Sequence, residues 1–368
     1  MSQRYLALDV LRGLILALMI VVNTPGDWGT VYAPLLHAEW HGFTLTDLVF
    51  PSFLFVVGNA MSFALGKYET MGDRAVLHKL LTRSLLMFLL GFLLYWFPFF
   101  KADAAGNFAF APLSHTRIPG VLQRIALCYL LASLVLHYWK TRGALIFSGV
   151  ALLGYWAILA QFGDYTLAGN AAVKFDLLLL GENHLYHGEG IPFDPEGLLG
   201  TLPAIVNVIA GYLAGNFLRQ SGNTRTTLIR LVAAGLICIV VALCWNTVFP
   251  INKKLWTSPY VLLSIGLDLL ILPLLIYLIE FKKIVRWTYF FEVFGKNTLF
   301  IFLLSELLVI ISFNIRIGAE NGYGWLYRTC FQGLGQPYLA SLLFALCFTL
   351  LCWLIGYWMD RRKIYIKL

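Results

Sequence analysis

Ten apolar stretches dominate the chain, at about 5–23, 46–66, 79–97, 118–138, 144–161, 197–218, 226–247, 258–280, 292–313 and 336–358. Each is close to the roughly 20 residues a helix needs to cross a hydrocarbon core of about 30 Å. A soluble domain has no use for so many segments of that length. Only 12% of the residues are charged, against about a quarter in an average soluble protein. The pattern predicts an all-α polytopic membrane protein of about ten transmembrane helices in one bundle, a single domain over 1–368. The first stretch carries Asp9 and Arg12 and has no small-residue cleavage site, so it is expected to remain as the first span rather than be removed.

Charge orients the spans. Most of the 27 Lys and Arg fall in segments on the N-terminal side, among them Arg74, Lys140, Arg142, Arg219, Lys282, Lys283, Arg286 and Arg361. That asymmetry predicts both termini in the cytoplasm. It also accounts for most of the net charge of +8, and no clustered basic domain suggests nucleic acid. Five of the six cysteines lie in apolar spans, and no CxxC or Cys/His spacing suggests a zinc site.

Three outer loops are long: 24–45, 98–117 and 162–196. The last is rich in acids, including Asp164, Asp176, Glu182, Glu189, Asp194 and Glu196. Long loops on one side of a bundle are where binding tends to reside. An acidic, aromatic outer face suits a cationic or polyhydroxylated guest; a solvated loop is the plainer alternative.

Charges inside spans are costly, about 2.5–3.5 kcal/mol at mid-bilayer on the insertion scale, so each needs a partner or a wet path. Asp9 and Arg12 are spaced to pair on one helix face, as are Glu292 and Lys296. Arg124 follows Arg117 by two helical turns and is expected deeper on the same face. It needs an anion, such as Glu306, Asp9 or a ligand phosphate.

The loop-to-span junction "HAEWHGFTLTDLVFP", residues 37–51, gathers titratable groups at a membrane edge. If Asp47 opens the second span, the helix dipole favours its ionised form, and Pro51 falls in the first turn. A carboxylate beside an imidazole fixes its tautomer and supports its protonated form, which is the arrangement of a general base. His37 and Asp47 are ten positions apart, and Gly42 between them gives the chain room to fold back. A satisfied loop histidine is the alternative that spacing alone leaves open.

Several stretches occur in an order that resembles the transmembrane heparan-α-glucosaminide N-acetyltransferase family: "VNTPGDWG", "HAEWHGFTLTDLVFP", "RIPGVLQRIALCYLL", "FDPEGLLGTLPAIVNVIAGYLAG", "NTVFPINKKLWTSPYVL" and "GKNTLFIFLLSELL". They run from the first span to the ninth. The resemblance implies that acetyl-CoA in the cytosol gives its acetyl group to the amine of a glucosamine-type sugar on the outer side, directly and without an acetyl-enzyme. It implies His37 as the base, Asp47 as its partner and Asn23 beside the acetyl group, where an amide could stabilise the oxyanion. Lys282, Lys283, Arg286 and Lys296 become candidates for the nucleotide phosphates. Arg124 and Asn297 become candidates for the ligand path, and Asp194, Glu196 and Glu306 for the acceptor. Read as a bacterial relative of that family, the chain is expected in a bacterial inner membrane with the bilayer as its partner; a homodimer is compatible with this reading, and no metal is implied. Two other functions suit ten spans with internal polar residues: an amino-sugar permease, and an O-acetyltransferase of a surface glycan.

Overall fold

The structure is a computed structural model that describes residues 6–64, 72–102 and 108–366. Twelve α-helices lie among the described residues: α1 Leu6–Asn23, α2 Leu45–Ala64, α3 Asp73–Trp96, α4 Val121–Phe162, α5 Ala171–Leu180, α6 Leu198–Ser221, α7 Arg225–Trp245, α8 Ser258–Ile276, α9 Thr288–Lys296, α10 Thr298–Asn314, α11 Gly322–Cys330 and α12 Pro337–Arg361. Two small antiparallel ribbons join Phe100–Ala102 to Phe108–Phe110 and Arg316–Ile317 to Glu320–Asn321.

Eight helices among the described residues are long and apolar enough to cross a membrane, nine if α9 and α10 count as one bent span. The longest, α4, is interrupted at Lys140, which takes φ 54 and ψ −164. Its arms, 121–139 and 141–162, match the fourth and fifth expected spans. Over the described residues all ten expected stretches therefore coincide with helices, and the chain is an all-α polytopic membrane protein.

The ninth span departs from expectation. It is two helices meeting at 84° rather than one rod. Asn297 sits at the corner with φ −127 and ψ 40, outside helical geometry. Its side chain is bound to later chain: Asn297 Nδ2 donates to the Ile364 carbonyl at 3.0 Å, and the Ile366 amide donates to Asn297 Oδ1 at 2.9 Å. The expected Glu292–Lys296 pair is replaced for a related reason. Lys296 Nζ reaches both oxygens of Asp360 at 2.9 and 3.0 Å, while Glu292 accepts from the Thr288 hydroxyl at 2.9 Å. A carboxylate across the packing outcompetes the neighbour on the same helix. The Asp9–Arg12 pair does form, at 3.5 Å, and Arg12 also donates to the Gly295 carbonyl.

The helices gather into two compact units. One comprises Met1–His37, Thr44–Phe53 and Leu274–Lys367; the other comprises Ala38–Phe43 and Leu54–Pro273. In the first, α1 packs against α9, α10 and α12. The α1–α9 contact is backbone to backbone: a Cβ on Gly13 would lie 1.8 Å from the Phe291 carbonyl oxygen, and one on Gly295 2.3 Å from the Asp9 oxygen. Small residues let membrane helices approach this closely, and packing then replaces the hydrophobic drive that lipid removes. In the second unit α4 lies against α3 and α6, and α6 meets the later half of α2 through Gly58 and Gly211 in the same manner.

Two further local readings change. Pro51 is the seventh residue of α2, in its second turn, because the helix starts at Leu45. Arg117 precedes α4, which begins at Val121, so it shares no helix face with Arg124. Within the long loop 162–196 the structure adds α5, whose Asn170 cap accepts from the Val173 amide at 2.8 Å.

Candidate active site

The start of α2 builds the site in the first unit. The segment Thr44-Leu45-Thr46-Asp47 is a capping box, in which a helix-opening Thr and an acid three residues later satisfy each other's backbone amides. The Thr44 amide donates to Asp47 Oδ2 at 2.9 Å, and the Asp47 amide lies 3.4 Å from Thr44 Oγ1. The two threonines also draw back the chain before them. Thr44 Oγ1 donates to the Leu36 carbonyl at 2.7 Å, and Thr46 Oγ1 to the Pro34 carbonyl at 3.3 Å. This closure returns residue 37 to residue 47.

His37 Nδ1 and Asp47 Oδ1 are then 2.6 Å apart. A carboxylate only accepts, so Nδ1 carries the ring hydrogen and Nε2 keeps its lone pair. Asp47 is 1% exposed and His37 is 42% exposed along its side chain. Nε2 has no hydrogen-bond partner among the described residues. The result is an oriented imidazole whose basic nitrogen is open, backed by a carboxylate closed off from solvent. The neighbouring His41 is differently placed. It belongs to the second unit, where Asn252 Nδ2 donates to its Nδ1 at 3.3 Å, and burial lowers its pKa. An amide donor supports a neutral ring and offers no carboxylate behind it. Asn23 ends α1 with its side chain exposed and hydrogen-bonds the half-buried Glu306 of α10.

The cations of the first unit fall into two groups. Lys296 is tied to Asp360, with Tyr289 and Tyr365 hydroxyls donating to the same carboxylate, and Asn297 is tied to the tail. Lys282, Lys283 and Arg286 follow the π turn that ends α8 and are exposed. Lys282 lies over the Tyr277 ring at 5.6 Å, and none of the three has an ion-pair partner among the described residues.

The second unit holds the remaining candidates. Arg117 Nε and Nη2 clamp Asp194 at 2.7 and 2.6 Å, and Nη2 also donates to Glu196 at 2.7 Å. The Tyr95 and Tyr186 rings each lie 4.9 Å from its guanidinium, and Lys253 lies 3.7 Å from Glu196. Burial alone would raise the Glu196 pKa, but Lys253, Arg117 and Arg124 together hold it at about 2. Burial likewise works against the charge on Arg117, and Asp194 with Tyr95 and Glu196 outweighs it, so that guanidinium is held above its ordinary pKa.

Asp176 of α5 accepts from the Leu198 amide at 2.9 Å, at the start of α6. Burial pushes it up to about 7 despite that bond and the nearby Arg124. Arg124 is 1% exposed. Within its unit it meets a carbonyl rather than an anion: Nη2 donates to Gly197 at 2.8 Å, and the guanidinium stacks 4.8 Å from the Trp256 ring. Its Nε and Nη1 have no hydrogen-bond partner among the described residues, and buried donors in that condition are rare.

Sequence reasoning named the histidine and its acid but missed Thr44 and Thr46, which set their geometry. The signal was present as T-x-x-D ahead of an apolar run. Among the described residues no group of three or more His, Cys, Asp or Glu could hold a metal.

Residues 4–249 match the family model described as heparan-alpha-glucosaminide N-acetyltransferase, catalytic. The match includes His37, Asp47, Arg124, Arg117, Asp194 and Glu196 and stops short of Lys253 and of Lys282–Arg286. The chain is 29% identical over 427 residues to the heparan-alpha-glucosaminide N-acetyltransferase of Mus musculus, covering 100% of this chain and 61% of that protein. It is 28% identical over 425 residues to the protein of that name from Homo sapiens, covering 99% and 60%. The chain thus spans about three fifths of the length of these curated relatives.

Proposed function

The chain belongs to the heparan-alpha-glucosaminide N-acetyltransferase family, and from that premise we propose that it is a membrane acetyltransferase using acetyl-CoA from the cytoplasmic side and a glucosamine-type amine on the outer side. The observation that carries this reading is the His37–Asp47 pair, with Nδ1 held at 2.6 Å and Nε2 open. An amine must shed a proton to become acylated, and an imidazole is the side chain suited to take it near neutral pH. His37 Nε2 receives that proton, and Asp47 steadies the imidazolium through Nδ1–H. Asn23 supplies an amide N–H to the oxyanion that forms as the amine adds to the thioester carbon. The thiolate of CoA leaves, and no side chain of the enzyme carries the acetyl group.

Lys282, Lys283 and Arg286 are the cations we assign to the donor's phosphates, since they have no ion-pair partner among the described residues while Lys296 and Asn297 already serve the corner of the bent span. The unused donors of Arg124 keep it as a candidate for an anionic ligand group. Asp194 and Glu196 enter acceptor binding only through what Arg117 and Lys253 leave unoccupied. The excess of cations on one side supports cytoplasmic termini.

The test is acetyl transfer by the purified protein. With acetyl-CoA and glucosamine, N-acetylglucosamine is expected by mass spectrometry, and His37→Ala is expected to lower its formation by about 10²–10⁴-fold while the variant keeps its melting temperature. Unchanged turnover in that variant removes the base assignment. An ester in the product in place of an amide would make the enzyme an O-acetyltransferase.

One observation favours a second reading. The 84° break between α9 and α10 is a form that carriers use around their substrate sites. Accumulation of labelled glucosamine in vesicles lacking acetyl-CoA would select an amino-sugar permease.

A further inference from the structure

The break in α4 opens beside a groove of about 420 Å³ in the second unit. Leu131, Leu134, Val135 and Phe147 of α4 and Leu202 and Ile205 of α6 form its walls. The volume lies in the range of small-molecule sites, about 300–1,000 Å³. Yet these walls offer no charged group, so an occupant must be apolar over most of its length.

The lining has a direction along α4. From Leu131 to Tyr138 is two helical turns, about 10.5 Å of rise. At that end stand Tyr138 and Trp139, 52% and 59% exposed. Immediately beyond lie Lys140, Thr141 and Arg142, all exposed. Neither Lys140 nor Arg142 has an ion-pair partner among the described residues. The nearby acid, Asp73, is engaged with His137 Nε2 at 2.9 Å. Along α4 the order is therefore aliphatic, aromatic, cationic. A phospholipid leaflet runs in the same order from tail to interface to phosphate.

We propose that this groove is a binding site for an anionic phospholipid, with one acyl chain along Leu131–Ile205 and the phosphate on Lys140 and Arg142. A second copy of the chain fits less well. A two-fold interface centred here would set each copy's Lys140 and Arg142 against the same cations of its partner. Nor is the site ordinary lipid-facing surface, because it is concave and its charged rim lies at one end only. Hydrocarbon gains little by moving from bilayer to groove, so selectivity rests on the two cations. At about 1 kcal/mol each they predict a preference for anionic over zwitterionic lipid of roughly tenfold or more.

Native mass spectrometry of the protein in neutral detergent tests this, with phosphatidylglycerol and phosphatidylcholine of matched chains in competition. One retained phosphatidylglycerol per chain is expected, favoured by roughly tenfold or more. Lys140→Gln with Arg142→Gln is expected to erase the preference; both sites are exposed, so the fold should persist. Ile205→Trp, which fills the groove, is expected to remove retention of either lipid. Equal retention of the two lipids by wild type would overturn the proposal, as would an unchanged preference in the double variant. A cross-link between cysteines placed at Tyr138 in two copies would assign the groove to a dimer instead and overturn it too.

Discussion

Asp47 and Asp194 are both nearly sealed from solvent, at 1% and 3% exposure. Both have partners closer than 2.8 Å. They are nonetheless prepared for opposite work. Asp47 faces an imidazole, which gains and loses protons near neutral pH. Asp194 faces a guanidinium, which does not lose its proton in proteins. The first pair can change state during a reaction, and the second can only hold. Both acids stand near span ends in acid-bearing motifs, so a buried carboxylate is informative only once its partner is known.

The sharpest way to break the contrast is on the histidine side. His37→Ala is expected to lower acetyl transfer by about 10²–10⁴-fold, the usual worth of a positioned general base, with thermal unfolding unchanged because the ring is exposed. A large drop in melting temperature would make the pair structural after all. On the other side, Arg117→Met is expected to destabilise the fold by about 3–5 kcal/mol, the cost of leaving buried carboxylates without their cation. Full stability in that variant would free Asp194 and Glu196 for acceptor binding.

A milder test separates the two duties of Asp47. Thr44→Ala removes the cap and the clamp on Leu36 but keeps the carboxylate. It is expected to cost about 1 kcal/mol of stability and to lower activity less than His37→Ala does. Equal losses in the two variants would mean that loop closure, not proton transfer, dominates.

The remaining test concerns pH. Asp176 sits at about 7 in the fold against an ordinary 3.8, so its stabilising contribution is full below about pH 4 and is lost as pH rises through 7. Glu196, at about 2 against 4.5, contributes above 4.5 and loses that contribution as pH falls toward 2. Melting temperature should therefore peak on the mildly acidic side. Asp176→Asn is expected to flatten the decline between about pH 4 and 7, and an unaltered slope would put its titration elsewhere.

The spans were legible because length and apolarity alone satisfy a membrane. Even the turn inside α4 could be located, since Lys140 and Arg142 interrupt the apolar run. The corner at Asn297 was hidden because its cause lies far away in sequence, at Ile364 and Ile366. The same holds for Lys296, whose partner Asp360 is as distant. The short α5 carried local signs, Asn170 before it and Gly181 after it, but ten residues cannot span a bilayer, and a search for spans passes over it. At the site, the chemistry-bearing types could be named from "HAEWHGFTLTD". What the spacing could not give was the return of the loop, which depends on two threonine hydroxyls finding the Leu36 and Pro34 carbonyls.

The corner at Asn297 has a consequence for biosynthesis. Its two amide partners are separated from it by 67 and 69 residues. At roughly 5–20 residues per second, the ribosome delivers them on the order of 3–14 s after the corner itself is made. During that interval α10 has to be accommodated by the insertion machinery without its fastening. Nascent chains halted before residue 364 should be the ones that quality-control proteases recognise first.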